Sequence, residues 1–265
     1  MQSFDVDRFI DLSGAIRLED IDWQACGRIG ITEAEARILR YIGDTETHTI
    51  IYMRDLLAGH SAKDPEITSF LAVWVYEELW HGRALSRVLA ECGWPEERDR
   101  FTKVTENSSI RELIEMLLAT LAASVTPRFI AAHMTWGAIN EITTAVAYET
   151  LLSRTQNPVL AEILRRIIRQ ERKHFAFYYS QAKKRLEGDR RAQALATFIL
   201  RRFWTPVGSG VGGWDNLSFV AASLFGDDEA RKPLFAAQDR IRELPGMEWF
   251  EMLTTQVTDL ATRSQ

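Results

Sequence analysis

Two stretches decide how this chain reads: 74-WVYEELWHG-82 and 170-QERKHFAFY-178. Each holds a glutamate followed three residues later by a histidine, Glu78 with His81 and Glu171 with His174. On an α-helix, positions i and i+3 project from one face. Each pair can therefore offer a carboxylate and an imidazole to the same centre. One such pair carries little weight, but the chain has only five histidines and two of them sit in this pattern. Both pairs are embedded in apolar stripes at helical spacing. Phe70, Trp74, Glu78, His81 and Leu85 make one, and Leu164, Ile167, Glu171, His174 and Tyr178 the other. Charged groups within an apolar stripe need a partner. A metal cluster supplies one; the competing reading is a metal-free bundle that uses these acids in buried ion pairs.

Working outward, a bundle with a paired metal site needs one further glutamate from each of two more helices. Glu46 lies on the stripe Leu39, Ile42, Glu46, Ile50, and Glu141 on Met134, Gly137, Glu141, Ala145, Tyr148. Glu46 stands 32 residues before Glu78, and Glu141 stands 30 before Glu171. Each half of the chain thus reads as a helix pair donating Glu, then Glu-x-x-His. The expected ligand set is Glu46, Glu78, His81, Glu141, Glu171 and His174. Hard carboxylate oxygens with two imidazoles suit iron or manganese. Two Fe ions are the expectation, because such sites do oxygen chemistry.

The rest of the chain fits an all-α fold, a ferritin-like four-helix bundle with additional helices in one domain spanning 1–265. Seven prolines punctuate stretches rich in good helix formers. The spacing predicts bundle helices over 32–60, 64–92, 127–154 and 158–186. Extra helices are expected over 109–124 and, between 190 and 262, near 190–204, 215–225, 228–243 and 246–262. Thr32-x-x-Glu35 and Ser109-x-x-Glu112 read as capping boxes, and Asp64-Pro65 as a helix start. The Gly-rich stretch 206-PVGSGVGGWDN-216 follows a helix and no strand, so it reads as a turn-rich loop and no dinucleotide fingerprint.

Hydrophobic residues make up 46% of 265, enough for a sizeable core. No apolar run reaches the length of a membrane span. The start, MQSFDVDRFI, has acids where a secretory signal has Lys or Arg, which points to a cytoplasmic protein. A net charge of −5 gives no prior for nucleic-acid binding. Cys26 and Cys92 form no C-x-x-C pair and are expected to be reduced core residues.

In its motifs the chain resembles the soluble acyl-acyl carrier protein desaturases. Tyr41-Ile42-Gly43-Asp44, then Glu46 and Tyr52, is similar to that family's first ligand helix. Trp74 to Gly82 resembles its W-x-x-E-E-x-x-H-G signature, and Gln170 to His174 its D-E-x-x-H signature. Asn140-Glu141-Ile142-Thr143-Thr144, Asp215-Asn216-Leu217 and Leu244-Pro245 also fit, so the likeness covers roughly residues 23–250. It implies a homodimer that takes electrons from a ferredoxin-type donor. With O2 it would place a cis double bond in an acyl chain on acyl carrier protein. It implies catalytic roles for Thr144, lining the oxygen site and delivering a proton, and for Trp74, beside the cluster. Trp23 resembles a tryptophan on the electron-entry side. The sequence departs from the family at Gln170, where the family has aspartate.

An acidic carrier would want a basic surface. Arg165, Arg166, Arg169, Arg172 and Lys173, with Lys183, Lys184, Arg185, Arg190 and Arg191 beyond, make a candidate patch. Two other functions compete. One is a related di-iron oxygenase that hydroxylates or N-oxygenates a different, small or carrier-bound metabolite in a shorter, more polar cavity; the other is iron oxidation or storage, which the long helical tail fits poorly.

Overall fold

The computed structural model describes residues 4–57, 60–94 and 126–263, apart from the side chains of residues 51–60. Among them, regular structure is helical throughout. The helices are α1 (Val6–Asp11), α2 (Trp23–Ile29), α3 (Glu33–Leu57), α4 (Pro65–Glu91), α5 (Phe129–Arg154), α6 (Pro158–Leu186), α7 (Arg190–Phe203), α8 (Ser209–Gly212), α9 (Trp214–Phe225), α10 (Asp228–Arg242) and α11 (Met252–Arg263). The helix expected over 109–124 lies outside the described residues.

Side-chain caps set where the long helices begin. The Glu35 carboxylate accepts from the Thr32 N–H at 2.8 Å, and the Thr32 hydroxyl accepts from the Glu35 N–H at 3.2 Å. Asp64 accepts from the N–H groups of Glu66 and Ile67, with Pro65 in the first turn of α4. Asn157 caps α6 through Oδ1, while its Nδ2 donates to the carbonyls of Cys26 at 3.2 Å and Gly30 at 2.9 Å. One side chain thus starts α6 and ties the end of α2 to it.

Two expectations need correction. The stretch 206–216 is more than loop: before α9, which begins within a residue of where it is expected, it holds the one-turn α8. The last helix begins at Met252, well after 246. Leu244-Pro245-Gly246 forms a turn with Gly246 at φ +81°, and Leu244, Met247 and Phe250 are buried as irregular chain.

Helix α3 packs along α4 and α5 along α6, and the two pairs meet where α4 touches α6. Helices α7, α9 and α10 pack on α5, α11 packs on α9, and α1 and α2 lie against α4. Gly82 sets the α3–α4 spacing. A Cβ there would lie 2.5 Å from Thr47 Oγ1 and 3.2 Å from the Gly43 carbonyl oxygen. The missing side chain lets the backbones approach, which brings Glu46 beside His81.

The cysteines, far apart in sequence, meet as free thiols with sulfurs 3.6 Å apart. Burial pushes the Cys26 thiol up to about 12. Among the described residues, no helix is long and apolar enough to cross a membrane.

Candidate metal centre

The four long helices bring all six expected ligands together. Helix α3 gives Glu46, α4 gives Glu78 and His81, α5 gives Glu141, and α6 gives Glu171 and His174. All six are buried, Glu141 being the most exposed at 6%. They form two overlapping groups, Glu46–Glu78–His81–Glu171 and Glu78–Glu141–Glu171–His174. Within each group one ligand atom per residue lies within 4.8 Å of the others. Glu78 and Glu171 belong to both.

The inner edge of each imidazole faces acids. His81 Nδ1 is 3.1 Å from Glu171 Oε1 and 3.9 Å from Glu46 Oε2. His174 Nδ1 is 3.0 Å from Glu78 Oε1 and 3.5 Å from Glu141 Oε2. Both Nδ1 atoms, Glu78 Oε1 and both oxygens of Glu171 are buried without a hydrogen-bond partner. Buried polar atoms are normally paired, and a carboxylate or imidazole lone pair pointing into a shared centre is what a cation completes. The donor set therefore fits a metal ion in each group.

Electrostatics say the same. Burial, with the negative charge of Glu46 and Glu171, pushes Glu78 well above the usual carboxylate range. Burial pushes Glu141 up to about 8. Burial alone would lower the two imidazoles, but the surrounding carboxylates outweigh it. They raise His81 to about 10 and His174 strongly. The crowding of carboxylates around both imidazoles is negative charge that a bound cation would offset.

The outer edges of the imidazoles are held by a crossed pair of bonds. His81 on α4 meets Gln170 Oε1 of α6 at 2.8 Å, and His174 on α6 meets Glu77 Oε2 of α4 at 2.7 Å. Gln170 Nε2 donates to Glu77 Oε1 at 2.7 Å and to the Gly14 carbonyl at 2.8 Å. The Gly14 N–H closes the loop onto Glu77 Oε1 at 3.0 Å. Burial would raise Glu77, but the bonds and charge of His174 and the Gly14 N–H hold it below its ordinary value. Two further donors fix the terminal acids. Trp74 Nε1 donates to Glu141 Oε1 at 3.1 Å, and the Tyr148 hydroxyl to Glu46 Oε1 at 2.5 Å.

Trp74 thus touches Glu141 of the cluster. Thr144 lines a cavity beside Glu141, while the back-bonding hydroxyl is that of Thr143, to the Ile139 carbonyl at 2.6 Å. Glu77, Tyr148 and Gly14 had no assigned role in the sequence reading. Tyr148 was visible as a member of the Glu141 stripe and Glu77 as the second acid of the E-E pair. Nothing in the sequence pointed to Gly14. Trp23 packs under the Arg87 guanidinium at 4.0 Å, against α4.

The cavity, about 370 Å³, is lined in part by Glu46, Glu78, Glu141 and Glu171. Leu217, Val220, Phe225, Val257 and Leu260 give it an apolar wall, and Thr45, His48, Thr49 and Asn140 add polar groups. Residues 206–211 of the Gly-rich stretch form part of the lining, tied down by the Tyr41 hydroxyl bond to the Val207 carbonyl at 2.6 Å. A Cβ on Gly208 would meet that hydroxyl at 2.4 Å, so glycine lets the loop close over α3.

Many cations of the candidate docking face are engaged within the chain. Arg166 pairs with Asp20 and Glu162, Arg172 with Glu149, Lys184 with Glu66, and Arg185 with Asp64. Comparison of the chain with protein-family models, with curated proteins and with solved structures gives no match.

Proposed function

We propose that the chain is a ferritin-like di-iron protein, an O2-dependent oxidoreductase that introduces a cis double bond into an acyl chain carried on acyl carrier protein. The observation that carries this reading is two buried ligand groups sharing Glu78 and Glu171 beside a cavity with an apolar wall. Glu46 and His81 would hold one iron and Glu141 and His174 the other, with Glu78 and Glu171 common to both. Two irons bound there would activate dioxygen, which with two delivered electrons and two protons would take two hydrogens from the acyl chain and leave as two waters. Manganese suits the same donors; iron is preferred for the oxygen chemistry.

The chain's own residues would do the positioning. Leu217, Val220, Phe225, Val257 and Leu260 exclude water and hold an extended hydrocarbon. Trp74 and Tyr148 fix the orientations of Glu141 and Glu46. The Thr144 hydroxyl, one turn beyond Glu141, holds a proton at the cavity wall. Acyl carrier protein and a ferredoxin-type donor as partners, and a homodimer as the assembly, are proposed on the motif resemblance. The exposed Arg169, Arg190 and Arg191 suit an acidic carrier.

A second reading has its own observation. Thr45, His48, Thr49, Asn140 and Thr205 converge on the same cavity and suit a polar metabolite that gains oxygen. Anaerobic loading with Fe(II), then O2, a ferredoxin system and medium- and long-chain acyl carrier proteins separates the two by product mass. Loss of two hydrogens is the expected result; gain of one oxygen supports the second reading. Unchanged acyl chains with iron fully loaded would defeat the desaturase.

A further inference from the structure

We infer that the two halves of this centre are inequivalent, and that the first divalent cation loads at the Glu141–His174 half, whose imidazole is backed by a carboxylate while its counterpart is backed by a neutral amide. The inference rests on the metal reading above.

The crossed bonds carry the argument. His174 Nε2 and His81 Nε2 each face an acceptor, Glu77 Oε2 at 2.7 Å and Gln170 Oε1 at 2.8 Å. Each ring would therefore keep its hydrogen on Nε2 when a cation binds and give it the Nδ1 lone pair. The orientation of the Gln170 amide is fixed, because its NH2 donates to both Glu77 Oε1 and the Gly14 carbonyl. Only its oxygen is left for His81. Glu77 receives three donors, His174 Nε2, Gln170 Nε2 and the Gly14 N–H, which suits an ionised carboxylate. The Glu77 carboxylate thus bonds His174 directly, while the uncharged Gln170 amide stands between it and His81.

A carboxylate draws on the Nε2 hydrogen more strongly than an amide oxygen does, and so makes Nδ1 the better donor to a cation. The Glu46–His81 half is therefore the poorer donor set, and the low dielectric of a buried site enlarges the difference. Glu77 and Gln170 each stand one residue before a shared glutamate, so one substitution at pseudo-equivalent positions breaks the symmetry of the pair.

Titration of the whole chain with Mn(II) under anaerobic conditions tests this, followed by calorimetry and electron paramagnetic resonance. Two steps are expected, the first about 10- to 100-fold tighter than the second. The spectrum of an isolated Mn(II) should grow during the first step and give way to a spin-coupled pair in the second. His174→Ala should abolish the tight step and keep the weak one, while His81→Ala should keep the tight step. Glu77→Gln should draw the two affinities together. A single step of two equal ions in the wild-type chain overturns the inference, and needs no variant to fold. So does a tight step that survives His174→Ala but not His81→Ala. A wild-type chain that takes up neither Mn(II) nor Fe(II) is a different result, since it removes the metal reading itself.

Discussion

Tyr148 and Trp74 show how single side chains shape this centre. Each is buried, and each donates one hydrogen bond to a terminal carboxylate, Glu46 or Glu141. Tyr148→Phe keeps the packing and removes only the phenol oxygen. Losing such a donor should weaken divalent-cation binding about tenfold. A competitive chelator titration reads it, and an unchanged affinity would mean the phenol has no part in holding Glu46. The six acids and imidazoles of the cluster were legible because helical spacing places each on the buried stripe of its own helix. Glu77 was not. It points away from that stripe, and its partners, His174, Gln170 and Gly14, lie on another helix and a distant loop. No local period encodes such a contact.

At the scale of elements, the α3–α4 approach is the sensitive contact. Gly82→Ala should destabilise the chain by about 1–3 kcal/mol through overpacking, since its Cβ meets Thr47 and the Gly43 carbonyl. Gly43→Ala is the contrast. Its Cβ would find nothing closer than Leu85 Cβ at 3.7 Å, ordinary contact, so the gain in helix propensity, up to about 1 kcal/mol, should remain. Urea unfolding of both variants checks the pair, and equal midpoints would contradict the account of Gly82. Helix starts were readable from Thr32 and Asp64 because a cap is a local hydrogen bond. The Gly-rich stretch was read only as a loop. Its place in the cavity wall depends on Tyr41, more than 160 positions earlier in the chain, which bonds Val207.

Across the whole molecule, burial of ionisable groups ties stability to pH. His133 bonds Ser61 Oγ through Nδ1 at 2.7 Å, and burial lowers it to about 3. In the unfolded chain it titrates near about 6.5. Between these values the unfolded chain binds the extra proton. The stability that a neutral His133 contributes is therefore present above pH about 6.5 and lost as pH falls toward 3, by up to about 1.4 kcal/mol per unit. His133→Gln should flatten the pH dependence of the urea midpoint between neutral and pH about 5 by that amount. Matching slopes in the two proteins would show that His133 is already charged when folded.

The most direct measurement is iron content after anaerobic loading with Fe(II) and removal of excess metal. The wild-type chain should retain about two irons, and Glu141→Ala and His174→Ala well under two while still folded by circular dichroism. Full occupancy in both variants, or a wild-type chain that comes through the column without iron, would contradict the assignment of Glu46, Glu78, His81, Glu141, Glu171 and His174 as ligands.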